Sequence, residues 1–199
     1  MDGLEIRSVF PCTDLEYRQK GRRLTGSFPY GLENTATISD RGRVRKEAFA
    51  SRAFGFAVKS PEHRIDLLIG HDFSAPLASK HAKSLKLTDS ARSLDFEAVL
   101  PPERKQPSYM RDAVLQLGAG LLGGISPGFR IPPKNRVANA EEQVQEKGNP
   151  GVFIRVIRAA VLFELSLVAR PAYLATRLLL RQEDRIITPK SNDRYRVWL

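Results

Sequence analysis

Cysteine is nearly missing from this 199-residue chain: Cys12 stands alone. An internal disulfide framework is therefore excluded, and a reducing compartment suits the chain. Histidine is also scarce, with only His63, His71 and His81. They lack ligand spacing and have no cysteine pair to complement them, so neither a metal site nor a cofactor is expected. Long apolar runs are missing too. The longest, around 159–168, is interrupted by Glu164 and Ser166 and is too short to span a bilayer. Residues 1–30 carry charges throughout and contain no apolar core of a leader, so no membrane partner is expected. Lys and Arg number 32 against 22 Asp and Glu, a formal net charge of +10, yet no run of five basic residues occurs. Basic segments interleaved with aromatics are absent as well. Charge spread this evenly fits a general attraction to acidic proteins better than a nucleic-acid interface.

What is present suits one globular domain, with 42% hydrophobic and 27% charged residues. Residues 1–22 are polar and turn-rich and are read as a flexible lead-in. The domain proper is expected over 23–185, followed by a polar tail over 186–199. Within residues 47–58, Phe49, Ala53, Phe56 and Ala57 recur at helical spacing and predict a short amphipathic helix. Residues 64–72 alternate, with Ile65, Leu67, Ile69 and His71 on one face of a strand. Residues 84–88 and 94–100 form a hairpin across the turn 89–92. Ser108 is placed to cap a helix whose stripe is Met110, Ala113, Val114 and Leu117, ended by Gly118 and Gly120. Residues 125–131 are a further strand, stopped by Pro132-Pro133. Residues 134–150 read as a mobile loop. Residues 151–168 predict two strands buried on both faces, and Pro171 starts a last helix.

Gly124-Ile125-Ser126-Pro127-Gly128 matches the nucleophile elbow G-x-S-x-G of α/β hydrolases. That elbow needs a helix after the serine and a histidine later in the chain. Here a strand follows and every histidine precedes Ser126, which excludes the α/β hydrolase. A serine nucleophile in another chain order remains open, since a triad is defined by geometry. Alternation puts Gly124, Ser126 and Gly128 on one face, where the two glycines leave room for a peptide backbone. The other reading is a bent strand with a structural serine. His71, at the end of its apolar face, suits a general base; a satisfied core histidine is the alternative. Glu164 is the one carboxylate in the run 161–168 and needs a partner. That partner is an imidazole, or an arginine such as Arg155, Arg158 or Arg170.

Over roughly 24–175 these segments resemble the prohead proteases of tailed phages, a group related in fold to herpesvirus assemblins. The likeness rests on Glu47-Ala48-Phe49 through Ala53-Phe54; on Asp66-Leu67-Leu68-Ile69-Gly70-His71-Asp72 followed by Ala75-Pro76-Leu77; on Gly123-Gly124-Ile125-Ser126-Pro127-Gly128-Phe129; and on Phe163-Glu164-Leu165-Ser166-Leu167-Val168 with Pro171-Ala172. The resemblance implies a closed antiparallel β-barrel ringed by a few helices, a β-rich α+β fold. It implies His71 as base, Ser126 as nucleophile and Glu164 as third member, with Gly124, Gly128 and Arg170 at the substrate cleft. The implied activity is that of a serine endopeptidase. It cuts the scaffolding segment of the major capsid protein, and itself, inside the procapsid in the bacterial cytoplasm. Self-cleavage is expected at 134–150 and in the tail. Two departures stand out: Ala78-Ser79 replaces the usual glycine after "PL", and Pro127 removes an amide beside the nucleophile. The competing function is a non-catalytic capsid-assembly or scaffold-binding protein on the same fold.

Overall fold

The computed structural model describes residues 10–40, 43–169, 179–182 and 185–187. Its strands fall into three sheets. The first has the order β1-β10-β13-β6-β7, with β1 at Phe10–Pro11, β6 at Asp66–Ile69, β7 at Asp72–Ser79, β10 at Gly124–Arg130 and β13 at Val161–Val168. The second, β11-β12-β5-β4, contains β4 (Ala36–Asp40), β5 (Arg43–Phe49), β11 (Glu141–Gln145) and β12 (Phe153–Ile157). The third, β15-β14-β2-β3-β9-β8, contains β2 (Thr13–Arg18), β3 (Arg23–Pro29), β8 (Leu85–Asp89), β9 (Ser93–Val99), β14 (Leu179–Gln182) and β15 (Arg185–Ile187). Two α-helices accompany them, α1 (Gly55–Lys59) and α2 (Ser108–Gly118). The fold is thus β-rich with few helices. None of the three sheets closes on itself into a barrel.

An aromatic cluster joins the sheets. Phe28 of β3 packs edge-on against Phe10 of β1 at 4.7 Å between ring centroids, and against Phe49 of β5 at 5.2 Å. Phe49 meets Phe129 of β10 at 5.2 Å. Edge-to-face rings contribute about 0.5–1.5 kcal/mol per pair beyond their buried area. This cluster anchors the core face of β10 and leaves Ser126 and Gly128 on its opposite face.

Several expectations are corrected. The lead-in is structured from Phe10 onward, with Phe10, Cys12, Leu15 and Tyr17 buried. A register shift between Thr13 and Glu16, with Asp14 at φ 57, breaks the alternation that would have revealed β2. The helix expected over 47–58 is the end of β5, then turns, and only then α1. Phe49, Ala53 and Ala57 do face the core, but along a bent path rather than a helix. The loop expected over 134–150 contains β11, paired with β12. It is held by backbone pairing and by the ion pairs Arg155–Glu141 and Arg158–Glu142, which carry no hydrophobic signal. Pro107, not Ser108, sits at the N-cap of α2, and no side chain caps it. Its expected stripe holds, with Met110, Ala113 and Leu117 buried. The hairpin of β8 and β9 forms as expected. Ala78 and Ser79 lie within β7, so the turn comes later, where Lys83 has φ 57. The helix expected from Pro171 lies outside the described residues. Among the described residues no helix is long and apolar enough to cross a membrane.

Candidate active site

β10 and β13 run antiparallel, and their register sets Ser126 opposite Ser166 and Gly128 opposite Glu164. Directly opposed residues share a face, with Cβ atoms about 4.5–5.5 Å apart. Ser126, Gly128, Glu164 and Ser166 therefore form a four-residue patch on one face of the first sheet. β6 lies parallel on the far side of β13, placing Asp66 beside Glu164 and Leu68 beside Ser166.

His71 reaches this patch from a turn, not from a strand face. β6 stops at Ile69, which pairs with Asp72 of β7, and Gly70-His71 forms the two-residue connection. Both have positive φ, 58 and 64, as the tight turn matching the sheet's twist requires. Outside glycine, such a conformation is uncommon, though histidine tolerates it better than most residues. The alternation of Ile65, Leu67 and Ile69 thus ends before His71. Its side chain is 19% exposed rather than embedded in the apolar face.

Hydrogen bonds from Gly70 and His71 hold that turn over β13, where the Gly70 amide donates to the Leu167 carbonyl at 3.0 Å. The His71 amide donates to Ser166 Oγ at 2.9 Å. His71 Nδ1 lies 2.7 Å from Glu164 Oε1, and Ser166 Oγ donates to Glu164 Oε2 at 2.7 Å. Glu164 is fully buried, so an unpaired charge there would cost several kcal/mol. Each of its oxygens instead has a donor. With Glu164 ionised, the proton of the imidazole sits on Nδ1 and the lone pair on Nε2, the arrangement a general base needs. His63 is employed otherwise: its Nε2 lies 2.6 Å from the Leu162 carbonyl and its ring packs on Phe163.

Gly128 has a defined reason to be glycine. A Cβ at that position would overlap Glu164 Oε1. Its bareness serves the acid, whereas the sequence suggested room for a substrate backbone. Ser126 is 1% exposed, and its Oγ has no hydrogen-bond partner among the described residues. No hydrogen bond therefore joins Ser126 Oγ to His71 Nε2 in this structure. A buried hydroxyl left without a partner costs about 1–3 kcal/mol; Ser79 Oγ shares that state, but only Ser126 lies opposite Ser166 in the patch that holds Glu164. Of the expected cleft residues, Gly124 pairs with Val168 one step from Ser126, and Arg170 lies outside the described residues.

Ser166 was not singled out in the sequence. It stands two residues after Glu164, so period 2 alone puts both on one face. Its double role depends on the His71 turn docking over β13, which no local pattern encodes.

A buried carboxylate orienting an imidazole, beside a strand with an unpartnered buried hydroxyl, belongs to the chemistry of serine hydrolases. The family comparison agrees with that class. Residues 33–188 match the model of the caudovirus prohead serine protease family, and the chain belongs to that family. No curated protein and no solved structure matches the chain.

Proposed function

We propose that the chain is the endopeptidase that matures a tailed-phage procapsid, with Ser126 as nucleophile, His71 as general base and Glu164 as the acid that orients it. The observation carrying this reading is the 2.7 Å contact from His71 Nδ1 to the buried Glu164 Oε1, one strand away from Ser126. His71 Nε2 takes the Ser126 proton as Oγ attacks the scissile carbonyl. The imidazolium, stabilised by Glu164, then protonates the leaving amine. Water hydrolyses the acyl-enzyme by the reverse relay. In this reading Ser126 Oγ and His71 Nε2 come within hydrogen-bond reach when substrate is bound, as in many sites whose hydrogen bonds tighten only then. Residues of all three sheets share the main core, and a second small cluster of Ala48, Ile154 and Val156 lies on the second sheet; the shared core supports reading the sheets as the walls of the family's barrel.

The substrate in this reading is the scaffolding segment of the major capsid protein, cut inside the procapsid within the bacterial host. The chain itself is a second substrate, cut within 134–150 or in the tail. Co-expression with the cognate capsid protein tests this directly: a shortened capsid band is expected with the intact chain and none with Ser126→Ala. Shortening that persists in the variant would remove Ser126 from its role.

A further inference from the structure

Beyond Gly128 and Glu164, the same sheet face runs into a cleft that the triad does not use. Arg130, two residues past Gly128, places its guanidinium 5.1 Å from the centre of the Phe163 ring. Both residues line two adjoining hollows. One, of about 480 Å³, adds Arg64, Asp66 and Phe73. The other, of about 720 Å³, is walled mainly by apolar groups, including Phe56, Pro132 and Val137, with Arg52 and Arg136 at its margin. Phe56 is 72% exposed and Phe73 56% exposed, so each offers a ring face to a ligand in its hollow.

The charges in this cleft are one-sided. Among the described residues Asp66 is its one carboxylate and already accepts from Arg64 Nε at 2.8 Å. No carboxylate among the described residues lines the larger hollow. Among the described residues Arg130 and Arg136 form no ion pair. Stacking on Phe163 holds the Arg130 guanidinium in place while its N–H donors stay available, which favours bidentate capture of a carboxylate.

We infer that the Arg130–Phe163 cleft is the specificity site of the protease, and that it takes an extended substrate segment pairing an acidic side chain with neighbouring aliphatic ones. The acidic group docks on Arg130 and Arg136, and the aliphatic groups fill the hollow between Phe56, Pro132 and Val137. At about 3.3 Å per residue along β10, Arg130 lies roughly four residues beyond Ser126. An extended peptide needs about four residues to span the same distance, so its acidic side chain falls about four positions from the scissile bond. As a specificity site this rests on the protease reading above; as a peptide-binding site it does not.

Two measurements separate the possibilities. In the first, the Ser126→Ala protein is titrated into fluorescein-labelled peptides of alternating Glu-Leu or Lys-Leu, read by anisotropy. The acidic peptide is expected to bind, the basic one not. Arg130→Gln/Arg136→Gln should weaken binding by about tenfold. Arg104→Gln/Lys105→Gln removes equal charge outside the cleft and should change it less than about twofold. Failure of the acidic peptide to bind, equal binding of both peptides, or equal loss in both charge variants would overturn the inference. A second copy of the chain occupying the cleft would show as self-association that Arg130→Gln/Arg136→Gln dissolves, with no peptide bound, and would also overturn it. In the second measurement the unsubstituted chain digests a proteome-derived peptide library, with cut sites read by mass spectrometry. Asp and Glu are expected to be enriched about four positions from the cut, and the enrichment should vanish in Arg130→Gln/Arg136→Gln. Cutting without that enrichment sinks the specificity site but spares the protease. Peptide binding without any cutting sinks the protease reading but leaves the cleft as a binding site.

Discussion

Glu164 Oε1 lies 2.7 Å from His71 Nδ1 although the two residues are 93 positions apart in the chain. The contact spends one imidazole nitrogen on a fully buried acid and leaves the other for the proton transfer proposed above. Glu164→Gln keeps the shape but cannot stabilise the imidazolium or enforce the tautomer. A fall in kcat of at least about a hundredfold is expected, with KM little changed. Steady-state kinetics on a capsid-derived peptide would check it; unchanged kcat would show that Glu164 is structural.

Ser166 serves His71 and Glu164 at once through a single hydroxyl. Ser166→Ala removes a donor from a buried carboxylate and an acceptor from the His71 amide. A stability loss of about 1–3 kcal/mol is expected. Because the imidazole loses its support, kcat should drop with KM little changed. A variant with lower melting temperature but unchanged kcat would mark Ser166 as a packing residue only.

Gly128→Ala forces a methyl group into Glu164 Oε1. The carboxylate is held on both oxygens, so it cannot yield without releasing His71 or Ser166. Loss of peptidase activity is expected together with about 1–3 kcal/mol of destabilisation. A fully active Gly128→Ala protein would contradict the placement of Glu164.

Cys12 is fully buried, and its thiol is pushed up to about 12, chiefly by burial, with the charge of Asp14 adding to it. Only the thiolate reacts readily. An aromatic disulfide reagent at pH 8 should leave the folded protein unlabelled and take up one equivalent after unfolding in guanidinium. Rapid labelling of the folded chain would show that β1 and β2 open easily.

Asp89 accepts from the Tyr30 hydroxyl at 2.8 Å. Burial raises its pKa above the usual 3.8, against the lowering effects of Tyr30, Arg52 and Lys59. The folded state therefore binds this proton more tightly than the unfolded state. The group's contribution is fully present below pH 3.8 and is lost as pH rises through its raised folded value. Asp89→Asn should flatten that part of the stability profile in urea titrations run from pH 3.8 upward. An unchanged profile would refute the assignment.

Residue types and their alternation marked the strands β8, β9, β10 and β13 and the buried stripe of α2; they singled out Ser126, His71 and Glu164 only as candidates beside structural alternatives, and the family resemblance supplied their roles. Each such mark is a local property: a period of two or 3.6 residues, or a lone charge in an apolar run. Where a bulge at Asp14, a two-residue turn at Gly70-His71 or an ion-paired hairpin at β11 interrupts the period, the local signal fails, and β2, the true seat of His71 and β11 went unread. The partnership of His71 with Glu164, the double role of Ser166 and the need for bareness at Gly128 were decided only by tertiary structure. They arise from the register of β10 on β13 and of β13 on β6, strands more than thirty residues apart in each case. Register across such separations is set by how whole faces bury, and no short stretch of sequence contains it.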